Sequence, residues 1–119
     1  MSKILVVDDS KLARSRVVEL LRENGYCDIY EALDGQQAID MYLKHKPDLM
    51  TLDIEMPIYD GLEVVKELVQ VSSDLKVIWI SSVDNKHRVL EAQGLCKSTI
   101  IKKPISREKL EKALKIINR

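Results

Sequence analysis

The strongest constraint on this chain is a rhythm. Short apolar runs rich in β-branched residues recur at 4–7, 29–32, 49–52, 77–80 and 99–101, and each is followed by a stretch of helical period. A strand with one face in water alternates apolar and polar residues. A strand that is apolar at nearly every position must be covered on both faces. Strands of that kind, alternating with helices, predict an α/β fold: a doubly wound, open, five-stranded parallel sheet with helices on both faces and right-handed crossovers. The run at 29–32 is the most polar, with Tyr30 and Glu31, and is expected at a sheet edge.

The helical stretches carry apolar stripes. Ala13, Val17, Leu20 and Leu21 share one face of the first, which Gly25 stops. Ala38, Ile39 and Tyr42 mark the second; Leu62, Val65, Leu68 and Val69 the third; Leu110, Ala113, Leu114 and Ile117 the last. The fourth, around 85–93, is short and weakly striped. Asp34 with Gln37 and Asp60 with Glu63 have capping-box spacing, and Ser106 can cap the last helix.

Composition agrees with a single domain over 1–119. With 45% apolar and 32% charged residues the chain is neither disordered nor of low complexity, and it needs no metal or disulfide to fold. Nineteen basic residues balance nineteen acidic ones, so there is no overall field to draw in nucleic acid or an anionic membrane. The first apolar run is too short for a signal peptide or a membrane span and ends at Asp8 and Asp9, so a cytoplasmic protein is expected. Cys27 and Cys96 stand far apart and read as buried or half-buried thiols; His45 and His87 read as solvated helix-face residues. Trp79 is expected in the core or near a strand end.

In a doubly wound sheet ligands bind beyond the carboxyl ends of the strands, where the strand order reverses. Asp8 and Asp9 follow the first strand, Asp53 the third, Ser81 and Ser82 the fourth, and Lys102, Lys103 and Pro104 the fifth. Singly, each has a plain structural reading: Asp9 or Ser10 caps a helix, Asp53 starts a turn before Met56 and Pro57, Ser81 bonds backbone, Lys103 is solvated. Jointly they have one use. Crowded carboxylates repel unless a cation relieves them, and Mg²⁺ suits a site of few carboxylates that shares ligation with a phosphate. An ammonium and a hydroxyl beside them would stabilise a transferring phosphoryl group, with one carboxylate, best Asp53, as nucleophile.

The pieces that stand at these spacings are ILVVDDS from Ile4 to Ser10, LDIEMP from Leu52 to Pro57, then Asp60 and Gly61, Ser81 and Ser82, and Lys103 and Pro104. In that order they resemble the receiver domain of two-component response regulators, of the single-domain chemotaxis type, over the whole chain. The resemblance implies the flavodoxin-like strand order 2-1-3-4-5. It implies that Asp53 accepts a phosphoryl group from a histidine kinase. Asp8 and Asp9 match the acidic pair of the Mg²⁺ site, Asp9 as the more direct ligand, with Asp53 and the backbone carbonyl of Glu55 alongside. Ser81 matches the switch hydroxyl, and Lys103 the site lysine with a cis bond to Pro104. Phosphorylation would move these loops and change partner binding through the face of helix four, strand five and helix five. Such a chain is no enzyme beyond its own phosphorylation and dephosphorylation.

Three departures concern the output face. Ile100 stands where the family often has Tyr or Phe, Ile105 stands where Phe is frequent, and the stretch from Gln93 to Cys96 is shifted from the usual small-residue pattern. Glu55 and Val83, near the acceptor and the switch serine, are expected to tune the lifetime of the phosphorylated state. Other readings fare worse. An aspartyl phosphatase needs Asp-x-Asp where this chain has adjacent aspartates, and a flavodoxin needs a phosphate loop where Asp8 and Asp9 would repel the ligand. A stand-alone chemotaxis-type regulator, monomeric or dimerising on phosphorylation and acting on a downstream protein, is favoured. A phosphorelay intermediate or a receiver cut from a longer transcriptional regulator are the alternatives.

Overall fold

In the computed structural model, which describes residues 2–82 and 86–118, every apolar run is a strand. The order is β1 (Lys3–Val7), α1 (Lys11–Glu23), β2 (Asp28–Ala32), α2 (Gly35–His45), β3 (Leu49–Asp53), α3 (Gly61–Leu68), β4 (Lys76–Ser81), α4 (Lys86–Leu95), β5 (Lys97–Lys102) and α5 (Arg107–Ile117). The strands form one parallel sheet in the order β2-β1-β3-β4-β5, with the polar β2 at an edge as its composition requires.

The uninterrupted apolar runs are explained by two cores. Leu5, Val7, Met50, Leu52, Val77 and Trp79 point to one face and pack with Ala38, Ile39 and Tyr42 of α2, Leu62, Val65 and Leu68 of α3 and Ala92 of α4. The residues between them, Ile4, Val6, Leu49, Ile78 and Ile80, point to the other face and pack with Val17, Leu20 and Leu21 of α1 and Leu110, Ala113, Leu114 and Ile117 of α5. The period of two therefore persists in direction while disappearing in polarity. Trp79 is a fully buried core residue.

Helix starts follow the capping chemistry. Ser10, not Asp9, caps α1, its Oγ accepting from the Ala13 amide at 3.2 Å, and the exposed Asp9 is left for other work. Asp60 and Glu63 form a complete capping box on α3. Asp34 caps α2, but the Gln37 side chain accepts from Leu33 rather than from the cap itself, one residue off the expected pattern. Ser106 caps α5, and just beyond the Asn24 cap of α1 stands Gly25, whose φ of +89° glycine adopts without strain.

Some local expectations are corrected. Cys27 is exposed in the loop before β2, while Cys96 is half-buried. His45 is not a solvated side chain: it is half-buried and stacks on Tyr30 with ring centroids 4.0 Å apart. Helix α4 runs two residues further than its weak stripe suggested, to Leu95, and Asn85 and Val83 lie outside the described residues. Among the described residues, no helix is long and apolar enough to cross a membrane.

Candidate functional site

The chain leaves β1 for the β2 edge and then returns past β1 to β3, so the strand order reverses between β1 and β3. Val7 pairs in register with Leu52 across that boundary. The next residues along each strand, Asp8 and Asp53, are therefore set side by side, and both are 3% exposed. Asp9 stands next to them. Asp8, Asp9 and Asp53 each offer a carboxylate oxygen, and these lie within 4.8 Å of one another.

Backbone amides and a lysine hold this cluster. Asp8 Oδ1 accepts from the Ser10 amide at 2.9 Å, and Asp53 Oδ1 accepts from the Glu55 amide at 3.0 Å. Lys103, carried beyond β5 by the pairing of Ser81 with Lys102, donates from Nζ to Asp53 Oδ2 at 3.2 Å and lies 3.8 Å from Asp8 Oδ2. The Lys103–Pro104 bond is cis. Ser81, buried at the end of β4, donates from Oγ to Glu55 Oε1 at 2.7 Å. Ser82, expected alongside it, is exposed.

The loop from β3 to α3 is set by close approach. A Cβ at Gly61 would meet the Asp53 carbonyl oxygen at 2.5 Å, so only glycine lets α3 begin against the end of β3. At its crest the Tyr59 amide donates to the Pro57 carbonyl at 2.7 Å, which turns the backbone about Ile58 at φ +69°, an unusual angle for a β-branched residue.

Electrostatics mark the cluster as unsatisfied in this form. Burial, and then the charge of Asp8, push the Asp53 carboxyl up from 3.8 to about 6, against the pull of Lys103 and the Glu55 amide. Burial also raises Asp8, with the Ser10 amide and Lys103 opposing. Burial works against the Lys103 ammonium, but the charge and hydrogen bond of Asp53 and the charge of Asp8 outweigh it, and the net shift is upward. One ammonium thus faces two buried carboxylates and an exposed third. A hard, oxygen-loving dication fits this donor set, and charge relief would favour its entry.

Of the residues expected at the site, Asp8, Asp9, Asp53 and Lys103 are brought together here, with Ser81 and Glu55 bonded to each other beside them; Ser82 and Lys102 are exposed, and Val83 lies outside the described residues. Sequence reading missed Arg14. The residue is 9% exposed, and its guanidinium donates to the Asp8 backbone carbonyl at 2.9 Å and to Glu31 on β2 at 3.2 Å, fixing the turn that presents the acidic pair. The signal was available: position 14 lies three residues before Val17 on the apolar stripe of α1, where an arginine needs a buried partner. Lys109 was missed as well. Its ammonium donates to the carbonyls of Lys102 and Pro104, on either side of Lys103, at 3.0 and 2.9 Å.

Comparison with known proteins agrees with this geometry. The family model for the response regulator receiver domain matches residues 4–115. Protein CcdB of Bacillus subtilis is 37% identical over 114 residues, covering 96% of this chain and 95% of that protein. The chemotaxis protein CheY of the same organism is 33% identical over 112 residues, covering 94% and 93%. Among solved structures, the CheX-CheY-BeF3-Mg²⁺ complex from Borrelia burgdorferi contains a chain that superposes with a TM-score of 0.93 at 28% identity, covering 99% of this chain and 90% of that one.

Proposed function

The chain belongs to the response regulator receiver family, whose general role is phosphorylation-dependent switching, and on that footing we propose the following assignment of its residues. Asp53 accepts a phosphoryl group from the phosphohistidine of a kinase. The observation that carries this reading is the convergence on Asp53 of the Lys103 ammonium at 3.2 Å and of two further carboxylates. Asp8, Asp9, Asp53 and the backbone carbonyl of Glu55 would hold Mg²⁺, which when bound supplies positive charge to the transferring group.

In the transfer a carboxylate oxygen of Asp53 attacks phosphorus. The P–N bond to the donor histidine breaks, and its electron pair stays on the imidazole, which takes up a proton. Lys103 is placed to steady the equatorial oxygens. The new group brings nearly two negative charges and strong acceptor oxygens, for which Ser81 and Lys103 are the nearest donors. Their movement would reach α4, β5 and α5, and so the binding of a downstream protein. A groove lined by Ser10, Leu12, Arg16, Val17, Pro104 and Ile105 opens beside the acidic cluster and offers the kinase an apolar seat. The reading is of one domain, acting alone as a chemotaxis-type switch rather than as an enzyme on other substrates. A superposed relative whose structure carries BeF3 and Mg²⁺ supports it.

The test is labelling by a small acyl-phosphate donor with Mg²⁺ present. Wild-type protein should take up phosphate stoichiometrically, and Asp53→Asn should take up none while keeping its circular dichroism spectrum. Undiminished labelling of the variant would remove Asp53 as acceptor.

A further inference from the structure

The Glu55 carboxylate is not among the groups proposed to hold the metal or receive the phosphoryl group, yet it is bonded to a residue of the site. Its Oε1 accepts from the Ser81 hydroxyl at 2.7 Å. Its Oε2 is buried and, among the described residues, has no hydrogen-bond partner. Its backbone amide meanwhile holds Asp53 Oδ1 at 3.0 Å, so the side chain that binds the switch hydroxyl grows from the residue that steadies the acceptor. A hydroxyl-to-carboxylate bond is charge-assisted and about twice as strong as a neutral one. A phosphoryl group on Asp53 would need the same hydroxyl proton.

We infer that Glu55 is a positioning residue that holds Ser81 in the resting state, a competing acceptor whose hold must be broken before the switch can close. This rests on the proposed phosphorylation of Asp53 and deepens it. The acidic side chain sets how far the equilibrium lies toward rest, because every switching event exchanges one anionic acceptor for another. Among the described residues the carboxylate completes no satisfied network, and a buried acceptor with half its capacity unused is a costly way to fill space. Once Ser81 leaves, the half-buried carboxylate can turn outward to water, with Arg88 of α4 and Lys103 both already feeling its charge.

Removing a negative charge near an anionic ligand would tighten binding whether or not Ser81 is involved, so the test is a double-mutant cycle. The affinity for beryllofluoride in Mg²⁺ is measured by ¹⁹F NMR for wild type, Glu55→Ala, Ser81→Ala and the double variant. Glu55→Ala should bind at least about ten-fold more tightly than wild type, the lower end of what losing one charge-assisted competitor gives. In the Ser81→Ala background the same change should gain under about two-fold. Glu55→Gln, which keeps an acceptor oxygen without the charge, should fall between wild type and Glu55→Ala, and it serves if the alanine variant folds poorly. Equal gains in both backgrounds, or no gain in wild type, would overturn the inference. Failure of the wild-type protein to bind beryllofluoride, or unaltered binding by Asp53→Asn, would instead overturn the reading on which it rests.

Discussion

Strands β3 and β5 flank β4 in one sheet, and each delivers a residue to the site, yet they are built on different terms. All five residues of β3 are buried, and α3 behind it buries Gly61, Leu62, Val64, Val65 and Leu68. In β5 only Ile101 is buried, and among the described side chains of α4 only Ala92 is. What α4 lacks in apolar contact it replaces with ion pairs to α3, Arg88 to Asp60 and Lys66 to Glu91. Such pairs, the one exposed and the other half-buried, are worth little compared with packed side chains. Asp53, the proposed acceptor, thus stands on the more deeply packed side of the sheet, and Lys103, proposed to answer it, stands on the more thinly packed side. Segments with few buried contacts open at low free energy, which is the property a switch needs in its moving part.

The comparison breaks most readily by truncation. Leu52→Ala on β3 should cost about 3–4 kcal/mol in urea unfolding, since it empties a fully buried position, whereas Ile100→Ala on half-buried β5 should cost about 1 kcal/mol. Equal losses would mean that the two strands are not differently anchored.

The next effect comes from the charge stored on the more deeply packed side. The Asp53 carboxyl sits at about 6 in the folded chain, above the roughly 3.9 of an unfolded one, so folding is favoured by its protonation and stability falls as pH rises from about 4 to about 6. Asp53→Asn should therefore stabilise the metal-free protein by up to about 3 kcal/mol above pH 7, with the gain shrinking below pH 6 and gone near pH 4. Thermal melts at both ends of that range check the sign. Added Mg²⁺ should raise the melting temperature of wild type more than that of the variant. A variant less stable than wild type at neutral pH would contradict the stored repulsion.

The smallest expected effect sharpens the other half. Arg88→Ala should change global stability by only about 0.5 kcal/mol, while hydrogen exchange in α4 quickens and that in α3 stays as it was. Matching acceleration in both helices would show that they open as one unit.

The features legible in the sequence were those written in local pattern. Unbroken apolar runs declared a doubly covered sheet, and residues just past strand ends declared the rim, because register carries Asp8 to Asp53 once the order of strands is given. Asp60 with Glu63 announced its own helix start. What escaped was set by partners distant in the chain. Arg14 finds Glu31 and the Asp8 carbonyl, Glu55 finds Ser81, and Lys109 reaches back around Lys103. Nothing beside Glu55 in the sequence says that its side chain turns toward β4 rather than to water. His45 was misjudged for the same reason, since its stacking on Tyr30 of β2 depends on how α2 lies across the sheet edge.

The most direct test of the central claim, that a carboxylate at position 53 is phosphorylated beside a metal held by its acidic neighbours, is to locate the modified residue. Protein treated with a small acyl-phosphate donor, then reduced with borohydride, converts an aspartyl phosphate to homoserine, which peptide mass spectrometry places. Conversion is expected at position 53 alone when Mg²⁺ is present, and nowhere when a chelator has removed it. Homoserine at any other aspartate, or an equal yield in the chelator, would contradict the account.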